Sequence, residues 1–393
     1  MKNICFVTTT SITIKSFLLG QLNYLSKNGY NITVICDYCD SLKNHLPKNI
    51  NYIPVNMKRG IDFNTPKSIL ALYKVFRNGN FNIVQYSTPN AAFNASIAAR
   101  LAGVPIRIYA QWGIRYVGYN GWKRKIFKLL ERLVCTLSTR IQPDSKGNLI
   151  YSHKEGLYIH EKSNVIWNGS ANGVDLNKFD ILKKEAWRTG IRNRYNIGAN
   201  DLVLGFIGRL DKDKGVNELL EAFKIILHKH PGLKLLMIGP SDKDDGLNQG
   251  LLAWSKQSES VIFTGFIEGI EKYMSAIDIL VQPSYREGFG SVVIEAEAMG
   301  IPVIVTDIPG PTDAMQSGSN ATGLIVPKKA VQPLVQAMEK MVLDPELREE
   351  MSQNAISFAR SHFDQAKLLN FILEDKNRLY HQLISSKEEK MNA

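Results

Sequence analysis

Short apolar runs recur along the chain, separated by longer stretches of helical periodicity. In the first half the runs are Asn3–Thr8, Ile32–Cys36, Tyr52–Val55, Ile83–Tyr86, Ile106–Ala110 and Arg140–Gln142. In the second half they are Leu202–Ile207, Leu233–Ile238, Val261–Phe263, Ile277–Val281 and Val303–Val305. Runs this short, with little polar alternation, predict strands buried on both faces of a parallel sheet. Helical patterns lie between most of them, among them Ile14–Lys27 (ended by Asn28-Gly29), Val216–Lys229, Ser291–Met299 and a long amphipathic stretch from Asp364 to Ile384. Alternating strand and helix predicts a doubly wound α/β sheet, and the alternation occurs twice. The 393 residues suit two domains of ordinary size, and an apolar content of 44% supplies a core for each. The polar tail Ser385–Ala393 is expected to fray.

Charge changes this picture because it is uneven. Residues 1–180 hold 23 Lys/Arg against 9 Asp/Glu, a net of +14, whereas the remaining 213 residues hold 25 against 28, a net of −3. A basic half implies an anionic partner. With no nucleic-acid motif in the chain, the partner indicated is an anionic membrane surface or a lipid pyrophosphate. No apolar run approaches the length of a membrane span. The start, Met1 to Val7, is too short for a signal peptide and runs into threonines. The four cysteines fit a reducing cytoplasm; Cys36 and Cys39 have metal-like spacing, but no second Cys/His pair completes a site.

Candidate chemistry centres on Pro283–Ala296. An apolar strand, Ile277–Val281, feeds the glycine-punctuated turn Glu287-Gly288-Phe289-Gly290 and then a helix beginning at Ser291. That order presents backbone N–H groups at the carboxyl edge of a sheet, an anion site. Gly288 and Gly290 let backbone approach a ligand. Two carboxylates frame the loop, Glu287 on it and Glu295 one turn into the helix. Beside a phosphate site, a carboxylate serves by accepting hydrogen bonds from sugar or ribose hydroxyls. The plain alternative is a surface helix with ordinary glutamates. A second loop, Gly208-Arg209-Leu210 through Lys214-Gly215, sets two cations before a helix, Arg209 for a bidentate clamp on a pyrophosphate and Lys214 for a point charge. Asp211 and Asp213 form a weak Asp-x-Asp motif, and Asp242, Asp244 and Asp245 read as a solvated loop.

Seven residues separate Glu287 from Glu295, with Gly-Phe-Gly after the first. The spacing resembles the Glu-x7-Glu motif of the retaining family 4 glycosyltransferases of GT-B fold. The segments Phe206–Leu210 with Lys214-Gly215, Gly300–Thr306 and Thr322–Pro327 stand in the family's order. Asn164–Phe179, with its Asn172-Gly173-Val174-Asp175 turn, resembles the family's interdomain segment. The resemblance therefore implies a Rossmann-like acceptor domain over 1–180, a Rossmann-like nucleotide-sugar domain over 181–365, a cleft between them, and a crossover helix and tail over 366–393.

It further implies a nucleotide-sugar donor held by Arg209, Lys214, Glu287, Gly288, Phe289, Gly290, Ser291 and Glu295. Glu287, Arg209 and Lys214 act in catalysis, with cations rather than a metal neutralising the leaving diphosphate, so no cofactor is expected. The implied donor is a UDP-sugar such as UDP-N-acetylhexosamine or UDP-galactose, with a GDP-sugar as runner-up. The implied acceptor is a polyprenyl-diphosphate-linked saccharide of cell-surface polysaccharide synthesis, at the inner face of the cell membrane.

Two departures leave alternatives open. The loop Thr8–Ile12 lacks the family's Gly-Gly pair, and its hydroxyls either contact ligand or cap the following helix, the second being favoured. Trp112 stands where much of the family has a sugar-contacting His, and reads equally as a stacking platform or a core aromatic. Trp112, Arg115 and Tyr116 follow a strand and are candidate acceptor residues. Both departures also fit a protein that binds a nucleotide sugar without transferring it. A phosphorylase would need a pyridoxal-phosphate lysine, and no such site is identified. Trp122–Val134 repeats Ile126, Leu129, Leu130, Leu133 and Val134 at helical spacing beside a basic, aromatic first turn. It reads as a headgroup-binding helix start or as a packed helix with a basic outer face.

Overall fold

The computed structural model describes residues 2–57, 64–241 and 246–392. The aspartates at 242, 244 and 245 lie outside them. The chain divides into two compact units, Met1–Asn172 with Ala366–Ala393, and Gly173–Gln365.

In the first unit, β1 (Lys2–Val7), β2 (Tyr30–Cys36), β3 (Asn51–Pro54), β4 (Ile83–Tyr86), β5 (Ile106–Gln111) and β6 (Arg140–Pro143) form one sheet in the order β3-β2-β1-β4-β5-β6. Every pairing is parallel. Alternate side chains feed opposite faces: Ile4 and Phe6 enter one core, Cys5 and Val7 the other. Helices Thr65–Asn78, Pro89–Leu101 and Gly121–Leu137 cover the second face. Helix Leu19–Lys27 and, through Leu379, the last helix cover the first. That last helix, Gln365–Asn392, thus belongs to the first unit. It remains helical to Asn392, into the segment read as a frayed tail.

In the second unit, β7 (Leu202–Ile207), β8 (Leu233–Ile238), β9 (Val261–Gly265), β10 (Ile279–Gln282), β11 (Val303–Thr306) and β12 (Gly323–Val326) pair in the order β12-β11-β10-β7-β8-β9, again all parallel. The sixth strand, β12, carries the Thr322–Pro327 segment, which periodicity alone does not mark as a strand. Strand β10 starts two residues later than the apolar run because Ile277 leaves the ladder and packs over Gly205, where a Cβ would lie 2.2 Å from its side chain. The boundary falls at 172/173 rather than near 180. Val174 and Phe179 are buried in the second unit's core, and Val174 N–H donates to the Phe363 carbonyl at 2.7 Å.

Candidate functional site

In each sheet the chain winds one way from a central strand and then the other. The place where the order reverses, between β7 and β10 in the second unit, is where the two flanking loops splay apart and leave room for a ligand. Those loops carry the cations and the first carboxylate singled out from the sequence. After β7, Gly208–Gly215 leads into helix Val216–Lys229; after β10, Pro283–Gly290 leads into helix Ser291–Ala298. Tyr285 N–H donates to the Asp213 carbonyl at 2.8 Å and locks one loop to the other. Gly215 makes the fit possible. Its φ is +73°, and a Cβ there would lie 2.0 Å from the Pro283 carbonyl oxygen.

The side chains converge on Glu287. Lys214 Nζ donates to Glu287 Oε1 at 2.6 Å, and the buried Ser284 hydroxyl donates to the same oxygen at 2.8 Å. The pair is mostly covered, so its charge-assisted bond is strong and its geometry fixed. Arg209 is more exposed and lies 3.1 Å from Asp211. Neither aspartate of the Asp-x-Asp motif is spare. Asp211 accepts from Lys214 N–H at 3.0 Å, and Asp213 takes Arg286 through Nε and a terminal nitrogen at 2.9 and 2.7 Å. Among the described residues no group of three or more His, Cys, Asp or Glu is placed to hold a metal ion.

Glu295 sits one turn into helix Ser291–Ala298. Burial pushes its carboxyl up to about 7; Lys178 pulls it back and Glu271 pushes it further. Lys178 and Glu271 are 3.8 Å apart. A carboxyl poised near neutrality both donates and accepts, which suits a diol. The next acidic residue, Glu297, faces inward, fully buried, and accepts from the Thr322 hydroxyl. Gly290 has φ +89° and begins the helix, so its glycine is needed for a left-handed turn. Phe289 contributes backbone only: its ring is buried edge-on to Phe363. Ser291 and Gly288 lie on the same turn.

The corresponding reversal in the first unit lies between β1 and β4. There Thr88 is held at φ +66°, an uncommon conformation for a β-branched residue. Its hydroxyl accepts from Thr9 N–H at 3.0 Å and meets the Thr9 hydroxyl at 2.7 Å. The capping expected of this loop occurs on a different helix. Thr9 Oγ1 accepts from Ala91 N–H in helix Pro89–Leu101, while Asp37 serves Ser11 N–H in the segment after β1.

The three candidate acceptor residues separate. Trp112 is partly buried, tilted against Phe17 at 6.0 Å, and lines a cavity. Arg115 stacks over Phe127 at 4.5 Å and reaches Asn90. Tyr116 does not face an acceptor: it is fully buried, with Arg124 over its ring. Its aromatic character serves the core.

Helix Gly121–Leu137 presents two apolar faces. Val134 and Cys135 are buried, and Phe127 packs inward. Trp122, Ile126, Leu129 and Leu133 form an outward stripe, Trp122 and Leu129 being 68% and 67% exposed. Arg124 and Lys128 turn to Glu155, at 3.3 and 2.7 Å, whereas Lys123, Lys125 and Arg132 remain exposed beside the stripe. The apolar repeat is therefore not all packing. Among the described residues no helix is long and apolar enough to cross a membrane.

Two Rossmann-like units, the second with paired cation and carboxylate at its switch point, define a protein of the GT-B type. Comparison with known proteins agrees. The family described as glycosyl transferases group 1 matches residues 188–358, and the glycosyl transferase 4-like family matches residues 3–145. A capsular polysaccharide biosynthesis glycosyltransferase of Staphylococcus aureus, CapM, is 30% identical over 99% of this chain and 100% of its own. An Escherichia coli UDP-Gal:alpha-D-GlcNAc-diphosphoundecaprenol alpha-1,3-galactosyltransferase is 24% identical over 94% of this chain and 93% of its own. Anabaena HepE, solved with UDP and glucose, superposes with a TM-score of 0.77 at 18% identity, covering 96% of this chain and 100% of that one. The chain belongs to the group 1 glycosyl transferases, with a glycosyl transferase 4-like first half, and is a glycosyltransferase.

Proposed function

We propose that this enzyme retains anomeric configuration while moving a sugar from a UDP-sugar, UDP-N-acetylhexosamine or UDP-galactose, to a saccharide carried on polyprenyl diphosphate, for a cell-surface polysaccharide. The observation that carries it is the Lys214–Glu287 pair at the β7/β10 switch point, with Arg209 on the same loop. Arg209 and Lys214 receive the diphosphate, without a metal, and stabilise the charge that develops on it as the sugar leaves. The amides of Phe289, Gly290 and Ser291 at the helix start hold phosphate oxygens, Glu295 accepts from ribose hydroxyls, and Glu287 holds Lys214 and borders the sugar. The C1–phosphate-oxygen bond breaks, the acceptor oxygen bonds C1 from the same face, and the acceptor's proton passes to the leaving diphosphate. A trapped glycosyl–enzyme adduct would contradict this route.

The lipid-linked acceptor rests on the named relative of Escherichia coli, whose acceptor is diphosphoundecaprenol-linked, and on the exposed stripe of helix Gly121–Leu137 with its flanking Lys123, Lys125 and Arg132. An apolar stripe edged by cations suits the surface of an anionic bilayer. The test of the donor site is calorimetric titration with UDP, GDP and ADP in EDTA. UDP is expected to bind in preference to the others, and Arg209→Ala and Glu295→Ala to weaken it by roughly 1–3 kcal/mol each. Binding only with a divalent metal, or none, would overturn the assignment.

A further inference from the structure

Lys214 is bonded to Glu287, yet three other carboxylates stand within four residues of it in sequence: Asp211, Asp213 and Glu218. Two of them are matched by cations. Asp211 lies 3.1 Å from Arg209, and Asp213 takes Arg286 at 2.9 and 2.7 Å. Glu218, in the first turn of helix Val216–Lys229, is held instead by a neutral group. The Tyr285 hydroxyl donates to its Oε1, while its Oε2 is buried with no hydrogen-bond partner among the described residues. A carboxylate left short of donors in a covered place competes strongly for a neighbouring ammonium. In sequence the cation nearest to Glu218 is Lys214.

Tyr285 stands two residues before Glu287 and is fixed at three points. Its N–H donates to the Asp213 carbonyl at 2.8 Å, its hydroxyl holds Glu218, and Lys329 Nζ lies 4.7 Å from the centre of its ring. Burial, and then the bond to Glu218, raises its phenol well above the usual range, so it remains a donor. The two side-chain bonds between the loops therefore run in opposite senses. Lys214 donates from the β7 loop to Glu287, and Tyr285 donates from the β10 loop back to Glu218. We propose that Tyr285 is a positioning residue: by occupying Glu218 it keeps Lys214 on Glu287, with the ammonium beside the place proposed for the diphosphate. The consequence for the diphosphate rests on the donor-site reading; the choice of partner rests on the geometry of the two loops.

Two measurements on the full chain test this. The first needs no nucleotide: lysine-ammonium NMR on protein labelled with [15N]lysine, the Lys214 signal being assigned by its absence in Lys214→Arg. In the wild type, Glu287→Gln is expected to shift that signal and Glu218→Gln to leave it in place. In a Tyr285→Phe background the two sensitivities are expected to exchange. The second is calorimetry with UDP. Tyr285→Phe keeps the ring and the backbone bond, and is expected to weaken UDP roughly ten-fold. Adding Glu218→Gln to it removes the competing charge and is expected to bring the Kd back to within about three-fold of the wild type. A role confined to loop packing gives no such rescue, because the second substitution then only adds damage. A Lys214 signal that still follows Glu287 in Tyr285→Phe, or a loss of UDP affinity that Glu218→Gln does not restore, overturns the proposal. Failure of the wild type to bind UDP counts against the donor site alone, and the NMR measurement then decides the partner of Lys214 by itself.

Discussion

The two sheets share one topology and differ in what stands at the point of reversal. Between β1 and β4 the groups are hydroxyls, Thr9 and Thr88, bonded to each other and to backbone. Between β7 and β10 they are charges, Lys214 against Glu287 and Arg209 against Asp211. The contrast runs against net charge, since the cations suited to a diphosphate stand on the net-negative part of the sequence. A binding site is set by two or three oriented groups in a covered place, where the local dielectric multiplies their effect. Total charge acts at longer range and on larger surfaces.

The sharpest way to break this comparison is to remove the same kind of group on each side. Lys214→Ala is expected to lower kcat about 10²–10³-fold, as losing a preorganised electrostatic donor does. Thr88→Val is expected to leave UDP affinity within about two-fold, because its hydroxyl serves the loop of the other unit; equal effects in steady-state kinetics and calorimetry would erase the distinction. Gly215→Ala is the structural counterpart. It forces a Cβ into the Pro283 carbonyl, so a loss of about 2–4 kcal/mol is expected in urea denaturation. Gly29→Ala shares the positive φ, +85°, but meets nothing within 4 Å and should cost about 1 kcal/mol.

Glu295 gives a smaller effect with a definite sign. Its carboxyl is raised from 4.5 to about 7 in the folded state, so the folded protein holds a proton that the unfolded chain has released across that interval. Stability from this group is full below pH 4.5 and is lost as pH rises to about 7. Glu295→Gln is therefore expected to be neutral near pH 4 and stabilising by about 1–2 kcal/mol at pH 8, read from Tm across pH. A stability difference that grows towards acid would contradict the burial of this carboxyl. The smallest effect concerns the outer stripe. Leu129→Glu is expected to leave Tm unchanged and to reduce co-sedimentation with phosphatidylglycerol vesicles several-fold, the wild-type binding weakening with salt. Unchanged sedimentation would remove the membrane surface from the functional reading.

Much of this protein was legible without coordinates. Buried parallel strands need continuous apolar runs, so eleven of the twelve strands among the described residues appear in the hydrophobic pattern. The two loops at the β7/β10 reversal were legible too, because glycines at forced turns and cations at a helix start are local requirements that leave local marks. Tertiary structure decided the rest. That Lys214 is held by Glu287, 73 residues away, depends on β7 and β10 being neighbours. That Tyr116 is core while Trp112 lines a cavity depends on which side of one short turn meets the sheet. Whether Ile126 and Leu129 pack or face out follows from helix rotation, which an apolar repeat on both faces leaves undetermined. Lys376 shows the limit most plainly: in sequence it is one lysine in a charged helix, and only the fold brings it beside Gln142, 234 residues away, into a covered polar cavity. Local rules specify elements and turns because their energies act over a few residues. Long-range juxtaposition is set by how those elements pack, and a chemical site is made of such juxtapositions.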